Sequence, residues 1–183
     1  MRLLRVESLD FAEFRDDNRP PYIFEIGRNT NGQGYQKVEA FAKYIRRNLQ
    51  PVSWLWIDTC CINRDSAAEL SEAVNSMFEW YRHAQLCLAY LADVETADDK
   101  DSFEKSEWFK RGWTLQELLA PRLVLFVTKK WHVIGHKGHA AYGDCQSSVG
   151  LSLQKSIAQV TKIPEKVLHN YEASTHYTPQ DKV

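Results

Sequence analysis

Apolar positions along this chain fall into two patterns. Short unbroken runs over Trp54–Asp58, Leu86–Leu91 and Leu123–Val127 read as strands buried on both faces of a sheet. Elsewhere apolar residues recur three and four apart. Tyr35, Val38, Ala42, Ile45 and Leu49 predict an amphipathic helix with Lys43, Arg46 and Arg47 outside, ended near Pro51. Ser66 and Glu69 form a capping box opening a second helix, whose stripe is Leu70, Val74, Met77, Phe78 and Tyr81. Glu69, Glu72 and Glu79 make its solvated face. A short helix over Thr114–Leu119 stops near Pro121, and Val149, Leu153, Ile157 and Val160 mark a last one.

Weaker strands are expected at Arg2–Val6, Tyr22–Ile26 and Trp131–Ile134, and Asp98–Asp101 reads as a charged, solvated connector. Strands alternating with helices predict an α/β fold, a mainly parallel sheet flanked by helices. One domain over residues 1–170 and a polar tail over 171–183 that frays account for the length.

Composition narrows the function classes. A net charge of -1 gives no reason to expect nucleic acid as a partner. The longest apolar run, Leu86–Ala92, is far short of a membrane span. Met1–Arg5 lacks the apolar segment of a signal peptide, so a cytoplasmic location is expected. Four cysteines form no CxxC pair, which argues for buried reduced thiols. His132, His136 and His139 cluster near Cys145, but their spacing matches no zinc pattern, so no metal site is assigned. Neither GxxxxGK[ST] nor GxGxxG occurs.

Chemistry concentrates in two places. The run Trp54–Asn63 ends an apolar strand in the carboxylate of Asp58. The run Ser106–Pro121 gathers Trp108, Arg111, Trp113 and Glu117 around a helix start, where open α/β sheets place their ligands. Each residue has a plainer reading. Thr114 and Glu117 form a capping box, Asp58 suits loop amides, and Arg111 can pair with Glu107 or Glu117. Trp54 and Trp56 read as core.

Three blocks resemble the HET domain, the heterokaryon-incompatibility module of filamentous fungi: Trp56–Asn63, Ala68–Tyr81 leading into Ala89–Leu91, and Trp108–Pro121. One departure is that the Ser-(His/Tyr)-x-Trp-Gly block expected after Pro21-Tyr22 is missing around residues 23–33. The resemblance implies non-self recognition ending in programmed cell death, with self-association and a receptor or NTPase-repeat partner. HET domains are distantly similar to TIR domains, which have a flavodoxin-like three-layer fold and some of which cleave NAD. By that similarity Glu117 is the candidate catalytic carboxylate, Asp58, Trp108, Arg111 and Trp113 the candidate nucleotide contacts, and NAD a substrate rather than a cofactor. A non-catalytic homotypic module and an inactive degenerate copy are the alternatives.

Overall fold

In the computed structural model, which describes residues 1–15, 17–26, 34–138 and 150–170, eight strands form a single sheet. They are β1 (Arg2–Arg5), β2 (Phe11–Glu13), β3 (Tyr22–Ile26), β4 (Trp54–Trp56), β5 (Leu86–Leu91), β6 (Leu123–Thr128), β7 (Val133–Gly138) and β8 (Leu151–Ser152). The spatial order is β2-β1-β4-β3-β5-β6-β7-β8. The four central strands, β4-β3-β5-β6, are parallel. Antiparallel pairings attach β1 to β4 and β7 to β6.

The parallel strands are parallel because a helical connection returns the chain between each pair. Helix α1 (Gly34–Asn48) links β3 to β4. Helices α2 (Asp58–Cys61) and α3 (Ala67–His83) carry the chain from β4 across β3 to β5. Helix α4 (Lys100–Lys105), a 3-10 turn at Glu107–Lys110 and α5 (Thr114–Leu119) then lead to β6. After β8 come α6 (Gln154–Thr161) and α7 (Glu165–Asn170). Alternation along β3 shows that α1 and α3 cover opposite faces. Tyr22 donates its hydroxyl to the Trp80 carbonyl and Phe24 packs on Tyr81, both of α3, whereas the next residue, Glu25, pairs with Lys37 of α1.

The core follows the unbroken apolar runs. All six residues of β6 are buried, and Phe24 stacks on Trp56 at 4.1 Å in the register that sets them side by side. Trp108, Phe109, Phe103 and Phe126 form a second aromatic cluster with mainly edge-to-face contacts.

Several expectations change. The charged connector is a capped helix start: Asp99 accepts from the Ser102 amide, and Phe103 of α4 is buried. In α3 the buried face is Ala73, Met77, Trp80 and Tyr81, while Leu70 and Val74 are about two-fifths exposed. Ser66 caps α3 as expected, yet the Glu69 carboxylate accepts from the Asn63 amide and pairs with Arg2 rather than facing water alone. In α1 Tyr35 is exposed and Phe41 takes its place in the core. The penultimate strand starts two residues later than Trp131, which sits at positive φ and packs against Phe41, Tyr44 and Tyr90. Val149, His139, Cys145, the shortened segment from residue 27 and the tail lie outside the described residues. Among the described residues no helix is long and apolar enough to cross a membrane.

Candidate functional site

The connection after β3 leaves towards β4, and that after β5 leaves the opposite way, towards β6. Such a divergence opens a crevice at the carboxyl ends of the strands. A cleft of about 240 Å³ lies there. Its polar lining is Glu25, Asp58, Arg64, Arg111 and Glu117, and its apolar wall includes Leu70, Val74 and Met77 of α3. Trp56 and Tyr81 line it as well, and Trp113, about two-fifths exposed, stands at the rim.

Local chain geometry explains the Arg111–Glu117 arrangement. Asp93 accepts from the Ser106 hydroxyl and the Glu107 amide, both at 2.8 Å, which anchors the segment after β5. The 3-10 turn then carries the chain to Arg111. Thr114 donates its hydroxyl to the Trp108 carbonyl at 2.5 Å, folding α5 back over that turn. Arg111 and Glu117 thus face each other, with a two-point ion pair at 3.0 and 3.2 Å. The capping-box reading of Thr114 and Glu117 therefore fails: Trp113 occupies the cap position without a side-chain bond, and the Glu117 carboxylate turns to Arg111. Glu107 pairs instead with Lys110.

Three carboxylates from three separate elements, β3, α2 and α5, share this cleft. Glu117 is buried, and burial raises its proton affinity to about 7 against the opposing pull of Arg111, with Glu25 and Asp58 adding to the rise. Glu25, at the end of β3, is also buried and shifted upward by desolvation, while Lys37 at 2.6 Å counters the shift. Asp58 opens α2 with its Oδ1 buried, and its proton affinity is raised by burial and lowered by Arg64, Lys37 and Arg111.

Of the residues singled out in the sequence, Asp58, Arg111, Trp113 and Glu117 line this one cleft. Trp108 does not. It is 4 % exposed and packed against Phe109 and Phe126, so it presents no face to a ligand. Trp56 is core with an edge on the cleft, and Trp54 lies outside it against Phe14 and Arg5. Sequence reasoning missed Glu25, Lys37, Arg64 and the apolar wall. Glu25 had a signal: a carboxylate inside the apolar run Tyr22–Ile26. His136 lies on β7, away from the cleft lining, and among the described residues no group of His, Cys, Asp and Glu is placed to hold a metal ion.

Comparison with known proteins adds family evidence. The family described as Heterokaryon incompatibility protein (HET) matches residues 25–103. The Vegetative incompatibility protein HET-E-1 of Podospora anserina is 39% identical over a 151-residue alignment that covers 78% of this chain and 10% of that protein. This chain thus spans about a tenth of the length of that curated relative. No solved structure matches it. The family match begins at the cleft residue Glu25, and the relative's identity runs over most of the chain, so the chain belongs to the heterokaryon-incompatibility (HET) family.

Proposed function

We propose that this domain acts in fungal vegetative incompatibility as a cell-death effector, and that its cleft hydrolyses the N-glycosidic bond of a nicotinamide dinucleotide. The convergence of Glu25, Asp58 and Glu117 with Arg111 beneath an aromatic rim carries the reading. In such a reaction the bond from the ribose C1′ to the ring nitrogen breaks, and its electron pair leaves with neutral nicotinamide. Positive charge develops on the ribose, where fixed carboxylates stabilise it. Water then adds to C1′, and the ionised Glu117 carboxylate takes its proton. Arg111 holds Glu117 in place, and Trp113 offers a face for ring stacking. Arg64, mostly exposed at the cleft, suits a phosphate. At about 240 Å³ the cleft is smaller than the usual pocket for a whole drug-sized ligand, so this reading assigns it to the nicotinamide–ribose half of the molecule.

The test is NAD consumption by the concentrated or artificially clustered protein, beside Glu117→Gln and Glu117→Ala. Nicotinamide release by the wild type, lost in both folded variants, supports the reading. A second reading, a non-catalytic self-association module, draws on the partly exposed Leu70, Val74 and Trp113. It is favoured if no turnover is detected while substitutions at those residues abolish assembly.

A further inference from the structure

Two buried polar atoms on the cleft lining lack a hydrogen-bond partner among the described residues, and they are opposite in kind. Trp56 Nε1 can only donate, and Asp58 Oδ1 accepts when ionised. Leaving buried polar groups unpaired is costly, so a donor and an acceptor orphaned in one cleft call for an explanation. Chain geometry brings them together. Trp56 ends β4, Ile57 continues extended at φ -135° and ψ 126°, and Asp58 opens α2. Side chains two apart along extended backbone leave the same face, with Cα atoms roughly 7 Å apart. Packing stops the Trp56 ring from turning towards another acceptor. It is 1% exposed, stacked on Phe24 at 4.1 Å and flanked by Trp80 at 5.8 Å, and neither ring carries an acceptor oxygen. Arg64 pairs with the other Asp58 oxygen, Oδ2, at 3.9 Å. Glu25 Oε1 is a further such atom on the lining, but the Lys37 ammonium stands 2.6 Å from it. Trp108 also holds an unpaired indole N–H, yet it lies off the cleft.

We propose that Trp56 and Asp58 read the carboxamide of a nicotinamide ring, the indole N–H donating to its oxygen and Oδ1 accepting from its amino group. The assignment rests on the cleft being the site of nicotinamide dinucleotide cleavage, and it adds which ring the site selects. A primary carboxamide carries an acceptor and a donor in one plane, which matches this pair. A carboxylate carries two acceptors and no donor. It would leave Oδ1 without a proton to accept and set two negative charges side by side, so a nicotinic acid ring is rejected. A ring bearing neither group leaves both atoms unpaired. Leu70, Val74 and Met77 of α3 supply an apolar wall that suits the flat face of the ring. Asp58 keeps its negative charge in this contact, so it still favours the cationic ribose.

The experiment is an NMR titration of the full chain, labelled at the tryptophan indole nitrogens, with free nicotinamide, nicotinic acid and adenine. Adenine is the competing ligand because its edge also sets a donor beside an acceptor. The Trp56 signal is the one lost in Trp56→Phe. Nicotinamide should move that signal saturably, and nicotinic acid should bind about tenfold more weakly or worse. In Asp58→Asn, whose side chain offers a donor as well as an acceptor, that preference should largely disappear. The Asp58 side chain is 40% exposed, so this variant keeps the fold, and its two affinities decide the matter if Trp56→Phe does not fold. An unmoved Trp56 signal, equal affinity for the amide and the acid, or a preference for adenine overturns the assignment. The readout needs no turnover. Selective nicotinamide binding without NAD hydrolysis would strike the cleavage reading alone, and hydrolysis with amide and acid bound alike would strike this assignment alone.

Discussion

Exchanging Glu117 for glutamine keeps the side-chain shape and removes the titration, so its effect on stability must vary with pH. The folded carboxyl holds its proton up to about pH 7, against an ordinary value of 4.5, because burial opposes the charge more strongly than Arg111 supports it. Unfolding returns the group to water. The folded state therefore binds the proton more tightly, and its advantage is present in full below about pH 4.5 and lost as pH rises through about 7. Linkage with these two values removes about 2 kcal/mol from the wild type between about pH 5.5 and about pH 8.5. The side chain is 2% exposed, so solvent screening does not reduce this figure appreciably.

Glu117→Gln should therefore lose about 2 kcal/mol less than the wild type across that interval. Its amide oxygen can still accept from Arg111, as the carboxylic acid does at low pH. Urea unfolding of both proteins, followed by tryptophan fluorescence at several pH values, measures the difference between the two stability curves. Parallel curves would refute the reasoning, because they would mean that Glu117 ionises as readily in the fold as in water.

Lys37→Met leaves the Glu25 carboxylate buried without its cation and should cost about 3–5 kcal/mol in urea unfolding. Trp56→Ala removes the ring stacked on Phe24 and should cost about 3–5 kcal/mol by the same assay. Gly138→Ala faces a φ of +109° and an added Cβ only 2.0 Å from the Arg122 carbonyl oxygen. It should lower the melting temperature by more than a glycine-to-alanine change in a helix raises it. Thr114→Val leaves the Trp108 carbonyl only the longer bond from the Arg111 amide, at 3.4 Å, and should cost about 1 kcal/mol, with Thr114→Ser restoring most of it.

The sheet was legible because its strands differ from its helices in period. Leu86–Leu91 and Leu123–Val127 are unbroken apolar runs, and the structure pairs them in parallel at the centre. The edges were not legible for the opposite reason. Phe11–Glu13 and Leu151–Ser152 are strands because a neighbour offers them hydrogen bonds, and two or three residues carry no period of their own. Asp98–Asp101 misled because charge alone does not separate a loop from a capped helix. The buried Phe103 settles it, and burial is a tertiary fact.

The site divides along the same line. Asp58, Arg111 and Glu117 could be read because they sit at element ends, next to strands whose direction the pattern already set. Trp108 and Trp113 could not be told apart, since both are tryptophans within three residues of Lys110 and Arg111 in one short segment. What separates them is the turn between: Trp108 closes down on Phe126 inside the 3-10 turn, and the Thr114 bond to its carbonyl then swings Trp113 outward to the rim. The misplaced stripe of α3 has a related cause. Leu70 and Val74 have helical spacing with Met77, but the surface they cover is the cleft rather than the sheet, so they are apolar without being buried. Read by period alone every apolar stripe is core; beside an open cleft that inference breaks down, and Leu70 and Val74, the residues it misassigns, line the cleft.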